Sequence, residues 1–361
     1  MSFNWTFPIT DANAVSLFSK AFDFDTYQKT TFADLIYQMP SPDVGKMPKS
    51  KLTVGPIKRH VFGPKERLAQ ITFMNIGQLS QPGVYGDLVA AGTAEPTNVY
   101  SQTATFDQYA KVLHSDGLLS EKRVLADWRE TAKRQLSDFM AVFMDESINI
   151  ALIGESVFNN SNYFHYTSGQ YTQVMGNALK STDSNHIVYA GNATTNATAQ
   201  NASQVVTAQL LTKLVITATQ TLTIPIRELP KLPSGAKFLY LDDMNVIAQL
   251  GYDSDWRTAQ ITGNVRGDKN EALSMSIGAY GGVEVLAQTR AFRPIANVAY
   301  GMLLGADALN ILLVEPWKWY EGYEDYNRKK VIMVSSMFGV VPTYFNGSKR
   351  NMLMVPHYVA T

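Results

Sequence analysis

The chain has 361 residues, 45% of them apolar, with 31 basic and 31 acidic side chains and therefore no net charge. That length allows a large core and suggests two subdomains, and the apolar fraction excludes wholesale disorder. Neutrality argues against a nucleic-acid reader, which shows a basic face. The absence of cysteine removes disulfides, thiolate metal sites and cysteine nucleophiles.

The N-terminus, MSFNWTFPITDANAV, lacks a basic stretch followed by an apolar one and does not read as a signal peptide. A soluble protein made in the cytoplasm is the expectation. Residues 1–55 read as irregular. Eight of the fifteen prolines precede residue 101, which disfavours helix and permits extended chain. Residues 51–62 and 68–76 are strand-like, 77–100 suit a long loop, and 97–113 return as a strand-like run. An isolated hairpin is marginal in water, so 56–113 either rests on a neighbouring surface, the favoured reading, or forms a small independent β-domain.

Residues 119–154 predict one long amphipathic helix, about 50 Å at 1.5 Å per residue. Ser120 suits the cap and Glu121 the first turn. Leu125, Trp128, Ala132, Leu136, Phe139, Met140, Phe143, Met144, Ile148, Ala151 and Leu152 recur at helical spacing, and Gly154 is a natural stop. By itself this stretch reads equally as an ordinary long core helix; preceded by extended, core-poor chain, a long strut points toward assembly rather than catalysis.

In 156–203 only Lys180 and Asp183 are charged. This is either an excursion on the outer surface or a polar packing surface. Residues 204–221 predict a helix capped by Ser203, 236–241 a buried strand, 243–251 a helix and 282–288 a strand. Residues 297–310 look helical. The apolar run 302–314 is too short for a membrane span and contains Asp307 and Asn310, so it reads as a buried helix. Residues 330–340 and 351–356 read as a closing strand pair with Asn346-Gly347 as the turn. The fold class is α+β.

Chemistry-bearing motifs are few. There is no P-loop, G-x-S-x-G elbow or H-E-x-x-H. His60, His114, His165, His186 and His357 show no ligand spacing, and no cofactor is expected. Asp242-Asp243 reads as a helix N-cap pair; a hydrolase built on it would need a cleft with a strongly raised carboxylate pKa. Glu321, Glu324 and Asp325, beside Tyr320, Tyr323 and Tyr326, read as a solvated loop rather than a cation site. Lys58, Arg59, His60, Lys65 and Arg67 form the one basic cluster, suited to phosphate, to a neighbour's acidic patch or simply to solvent. Glycosylation-type triplets at Asn159, Asn192, Asn196 and Asn201 suggest a surface loop, and Arg266-Gly267-Asp268 is a chance match to an adhesive tripeptide.

From about residue 70 onward four segments resemble the major capsid proteins of tailed bacteriophages. The first is Gly83-Val84-Tyr85-Gly86-Asp87-Leu88 with Gly92 and Glu95. The second runs from Phe106-Asp107-Gln108-Tyr109 through Leu119, Arg123, Asp127, Arg129, Ala132 and Leu136 to Asp145 and Leu152-Ile153-Gly154. The third is Trp256-Arg257-Thr258-Ala259-Gln260, Arg266-Gly267, Asn270, Gly278-Ala279-Tyr280 and Gly282-Val283. The fourth is Leu303-Leu304-Gly305-Ala306-Asp307-Ala308-Leu309, Glu324-Asp325-Tyr326, Lys329-Lys330 and Phe345-Asn346-Gly347. The likeness departs at Glu95, where an acidic pair is usual, at Glu271-Ala272-Leu273, and in 156–203, which has no clear counterpart.

The resemblance implies a Hong Kong 97-type capsid fold. It would comprise an N-terminal arm (1–55), an extended loop (56–118), a peripheral domain with a spine helix and polar insertion (119–203), an axial domain (204–330) and a return to the peripheral domain (331–361). It further implies a non-enzymatic coat protein of the virion, made in the host cytoplasm. Copies would form hexamers and pentamers of an icosahedral head around double-stranded DNA, touching the DNA non-specifically and no membrane. Separate scaffold, portal and possible cementing proteins would be partners. Lys58, Arg59, Arg67, Tyr85, Asp87, Glu95, Arg123, Arg129, Trp256 and Arg266 are the candidate contacts between subunits. The competing reading is a tail, baseplate or adhesin component.

Overall fold

The structure is a computed structural model. It describes residues 12–32, 35–38, 55–62, 70–76, 83–85, 99–115, 128–154, 157–159, 163–165, 168–170, 172–230, 235–263, 278–324, 328–345 and 348–360. In chain order the elements are α1 (Ala12–Lys29), β1 (Ile36–Gln38), β2 (Ile57–Val61), β3 (Ile71–Ile76), β4 (Val99–Ala104), β5 (Asp107–His114) and α2 (Trp128–Ile153). Next come β6 (Val157–Asn159), β7 (Ser168–Gln170), β8 (Gln173–Val174), β9 (Asn177–Ala178), α3 (Asn196–Ala199), α4 (Ala208–Ile216), β10 (Phe238–Asp243), α5 (Asn245–Tyr252) and α6 (Ser254–Gly263). The chain closes with β11 (Ala279–Tyr280), β12 (Val283–Gln288), β13 (Phe292–Ile295), β14 (Val298–Leu304), β15 (Leu309–Glu324), β16 (Lys329–Pro342), β17 (Tyr344–Phe345), β18 (Ser348–Lys349) and β19 (Met352–Tyr358).

Two sheets frame α2. One has the order β1-β2-β15-β16-β5. The other has the order β11-β12-β10-β14-β13, with β19 on the far side of β14. One face of α2 carries Ala132, Leu136, Met140, Phe143 and Met144, whose spacing is the 3.6-residue period. A single core joins α2 to Ile311, Trp317, Ile332 and Phe338 of the first sheet and to Leu239, Leu241, Tyr300 and Met302 of the second. The opposite face of the second sheet, through Phe238, Tyr240, Val283 and Val285, packs on Leu211, Leu214, Val246, Leu250 and Trp256 of α4 to α6. Residues alternate along β10 between these two cores, as a strand buried on both faces requires.

The helix ends as its sequence predicts: Gly154 takes φ +72 and its N–H donates to the Ile150 carbonyl at 2.7 Å. The described helix begins at Trp128, and the Ser120 cap lies outside the described residues.

Several expectations are corrected. The run 297–314 is two strands, β14 and β15, not helix. Every residue of β14 is buried, between β10 and β13 on one edge and β19 on the other. Such a run has no polar face, so periodicity cannot separate helix from strand. Residues 1–55 are not wholly irregular, because Pro8 and Pro40 bracket a proline-free run that forms α1 and β1. The predicted 204–221 helix starts at Ala208 and is capped by Thr207, whose side chain accepts the Leu210 N–H; it changes to π-helical turns over 217–221. The strands near 330–340 and 351–356 do not pair: β16 joins β15 and β5, and β19 joins β14. The residues around Asn346-Gly347 instead form the small pair β17–β18. Glu321 and Glu324 are in β15, not a loop. Asp242 and Asp243 end β10, and the cap residue of α5 is Met244, without a side-chain bond.

Within 56–113, β2 pairs with β15 and β5 with β16, so these ends rest on their own chain. The strands between them, β3 and β4, form a two-stranded ribbon.

Candidate functional site

Strand alternation divides the basic cluster on β2. Arg59 faces α1, its guanidinium 4.2 Å from the centre of the Tyr27 ring. Burial lifts the Tyr27 phenol to about 12 although Arg59 opposes it. Burial also raises Asp23, with Arg59 and the Trp317 N–H pulling the other way. His60 faces the ribbon, with its ring 4.9 Å from Phe73 and its Nε2 3.2 Å from Asn310 Oδ1. Burial lowers its pKa, so it adds little positive charge at neutral pH. Among the described residues, Arg59 and His60 therefore lie in a seam between α1, the first sheet and the ribbon, while Lys65 and Arg67 lie outside the described residues.

Helix α1 covers an edge of β15. Beyond Leu313, where pairing with β2 ends, Pro316 offers no N–H and the β15–β16 register shifts between Glu315 and Lys318. The next outward donors are met by side chains: Trp317 N–H donates to Asp23 at 3.4 Å and Trp319 N–H to Ser19 Oγ at 3.1 Å. Lys133–Asp25 at 2.6 Å and Lys29–Asp138 at 2.7 Å tie α1 to α2. An exposed sheet edge is an aggregation hazard, and α1 removes it over this stretch.

The second half of α2 carries a buried polar row. Asp145 accepts the Thr31 N–H at 3.1 Å and the Thr31 hydroxyl at 2.9 Å, and burial raises its pKa to about 6. Glu146 accepts the Phe164 N–H at 2.5 Å, the His165 N–H at 2.7 Å and Arg290 at 3.2 Å. Asn149 donates to the Arg290 carbonyl at 2.9 Å and exchanges bonds with Gln288. Three successive neighbours — the end of α1, the 163–165 segment and the β12–β13 turn — are thereby referenced to one helix. This makes α2 a positioning strut.

Asp242 is fully buried. It accepts the Tyr240 hydroxyl at 2.5 Å and lies 3.4 Å from His357 Nε2, and burial raises its pKa. Gly301 leaves no room above this group, since a Cβ there would stand 2.7 Å from Tyr240 Cζ and 2.8 Å from Asp242 Oδ2. Asp243 pairs with Arg293 at 2.7 Å and accepts the Asn245 N–H at 2.9 Å. These carboxylates tie β10 to β19, β13 and α5, and both are buried. Among the described residues no group of three or more His, Asp or Glu side chains could hold a metal ion, and no helix is long and apolar enough to cross a membrane.

The sequence-predicted contact residues are dispersed. Lys58 and Arg59 lie on β2, partly buried. Tyr85 is 81% exposed. Arg129 is bonded within its own chain to Glu321 at 2.5 Å, and Trp256 is 5% exposed in the second core against Tyr280. Arg67, Asp87, Glu95, Arg123 and Arg266 lie outside the described residues. Sequence reading missed the α1 seam, whose signal was the proline-free run, and the polar row on α2. Asp145, Glu146 and Asn149 sit on a helix that periodicity treats as half solvent-facing.

A family model described as phage capsid protein matches residues 6–352. No curated protein matches by sequence. The fold is similar to that of the capsid of Ralstonia phage GP4 (17% identity, 92% of each chain, TM-score 0.73). It is similar also to the capsid asymmetric unit of cyanophage Pam1 (15% identity, 89% of this chain and 97% of that one, TM-score 0.67). A third likeness is to the capsid of Helicobacter pylori bacteriophage KHP30 (13% identity, 89% and 95%, TM-score 0.61). With the family model spanning nearly the whole sequence and the fold shared with phage heads, the chain belongs to the phage capsid protein family and has the Hong Kong 97-type fold of major capsid proteins.

Proposed function

We propose that this major capsid protein closes an icosahedral head from hexamers and pentamers of one sequence, around double-stranded DNA that it touches without base readout. The observation that carries this reading is the β3–β4 ribbon, which among the described residues pairs with no third strand. A two-stranded ribbon is marginal in water, and Tyr85 in the connection beyond it is exposed. The base of this arm packs on its own subunit through Phe73, Gln102 and Ala104, and the remainder would gain its packing on an adjacent copy. Chain that reaches over a neighbour buries area without imposing one inter-subunit angle, which suits a sequence that occupies both rings.

The proposed domain division is by sheet. The five-stranded sheet with α1 and α2 would be the peripheral part, the sheet carrying α4 to α6 the axial part, and the 71–104 ribbon the reach of the 56–118 loop; this shifts the 204–330 and 331–361 bounds, because β15 (Leu309–Glu324) lies in the first sheet and β19 (Met352–Tyr358) in the second. Lys58, Arg59, Tyr85, Arg129 and Trp256, with Arg67, Asp87, Glu95, Arg123 and Arg266, remain the proposed contact set. Arg129 and Trp256 would act indirectly, by shaping the surfaces above them. A structural rather than catalytic role is supported by the enclosure of Asp242. A separate scaffold, a portal and a cementing protein are the proposed partners, with synthesis in the host cytoplasm. The tail, baseplate or adhesin reading gives way to the family match over residues 6–352.

Negative-stain electron microscopy of the chain expressed alone and with a candidate scaffold tests the proposal. Closed shells or uniform hexameric rings are expected. A monodisperse monomer under both conditions would overturn it.

A further inference from the structure

Only Thr105 and Phe106 separate β4, in the ribbon, from β5, in the five-stranded sheet. This joint is held by an amide side chain. Asn177 Oδ1 accepts the Thr105 N–H at 2.8 Å, and Asn177 Nδ2 donates to the Thr105 carbonyl at 2.8 Å. One side chain thus takes both backbone groups of one residue, as a strand neighbour would. The Thr105 hydroxyl donates to the Gly176 carbonyl at 2.5 Å.

The joint sits in a slot. Gly176, at φ +79, approaches from one side, where a Cβ would stand 3.1 Å from Thr105 Oγ1. Gly339 of β16 approaches from the other, where a Cβ would run into the Thr105 carbonyl oxygen. Three residues back, Gln102 repeats the device. Its Nε2 donates to the Pro342 carbonyl at 2.6 Å and its Oε1 accepts the Tyr344 N–H at 3.0 Å.

Apolar support at the root is small: Ala104 packs with Leu312, Val341 and Tyr344, flanked by Phe62, Ile71 and Phe73. The ribbon itself is a regular ladder from Ile71–Ala104 to Ile76–Val99. The ladder leaves the sheet through a two-residue joint fastened by two buried neutral amides, with ring contacts from Phe73 to His60 and from Tyr100 to Phe345 beside it, so opening the amide bonds would loosen the angle of the whole ribbon.

We propose that Asn177 and Gln102 form a two-point latch that sets the angle at which the 71–104 ribbon leaves the subunit, and through it the curvature at which a second copy joins. The curvature half rests on the capsid reading; the latch itself does not.

Asn177→Asp keeps an acceptor for the Thr105 N–H but sets a carboxylate oxygen against the Thr105 carbonyl. Gln102→Glu does the same against Pro342 O and serves as the independent second variant. Two measurements decide: hydrogen exchange over 99–106 in the unassembled full chain, and particle diameters after assembly. Exchange there is expected to rise about tenfold or more, as loss of one or two hydrogen bonds allows, with α2 amides unchanged. Variant shells are expected to spread in diameter or fail to close.

Unchanged exchange in both variants overturns the latch. Faster exchange with shells of uniform wild-type diameter overturns its role in curvature. Loss of α2 protection in both variants overturns it too, since the amides would then be general supports of the fold. Should the wild-type chain form no shells, the capsid reading fails, while exchange still decides the latch.

Discussion

Replacing Asp145 by Asn should flatten the pH dependence of subunit stability, and the size of the change follows from the surroundings of the carboxyl group. Asp145 is 4% exposed and receives bonds from the N–H and hydroxyl of Thr31. Burial outweighs these bonds and the charge of Arg290, and the pKa rises from 3.8 to about 6. The folded chain therefore holds a proton that the unfolded chain has released. The stability tied to this group is fully present below pH 4 and is lost as pH rises through 6. A shift of about two units at about 1.4 kcal/mol each amounts to ~3 kcal/mol. Asn is neutral throughout and retains one acceptor for the Thr31 N–H.

The assay is urea unfolding of the dilute, unassembled chain, followed by tryptophan fluorescence, from pH 4 to 7.5. The stability of Asp145→Asn relative to wild type should climb by ~3 kcal/mol across that range. Asp23 and Asp242, also raised, and His165, lowered to about 4 chiefly by burial, act in both proteins and cancel in the difference. Parallel profiles would refute the reasoning, because the bonds to Thr31 rather than the buried charge would then dominate.

Three further outcomes are expected. Gly301→Ala drives a methyl group into the Tyr240–Asp242 pair and should cost about 2 kcal/mol or more; an unchanged urea midpoint would show that β14 yields there. Arg129→Ala leaves Glu321, 8% exposed, with the Trp319 indole N–H but without its cation, and should cost about 3 kcal/mol. Glu321→Gln should cost clearly less, and equal losses in the two variants would refute the charge argument. Tyr85→Ala should leave subunit stability within about 0.5 kcal/mol yet lower shell yield, as an exposed contact residue would. Normal yield in sedimentation would remove Tyr85 from the contact set.

What could be read without coordinates was local. The helix ending at Gly154, the strands near 236–241 and 282–288 and the extended character of 71–76 and 99–104 declare themselves because periodicity, glycine and β-branched residues act over a few neighbours. The ordered likeness in four segments carried the family and its architecture. Of the candidate contact residues, Tyr85 is exposed as a loop residue would be, and its role between subunits stands as a proposal.

Tertiary structure decided what depends on residues far apart in the chain. The run 302–314 became the end of β14 and the start of β15 because β10 and β19 flank the one and β2 and β16 the other, and no apolar pattern within the run encodes those neighbours. Asp242 and Asp243 look like a capping pair until His357 and Arg293 arrive from more distant parts of the chain. Gln102, Asn177 and Gly339 are ordinary letters in sequence, yet they meet at one joint because folding brings two side-chain amides within hydrogen-bond reach of distant backbone groups and sets Gly339 against Thr105. Periodicity reports which face is apolar; only packing determines what that face meets.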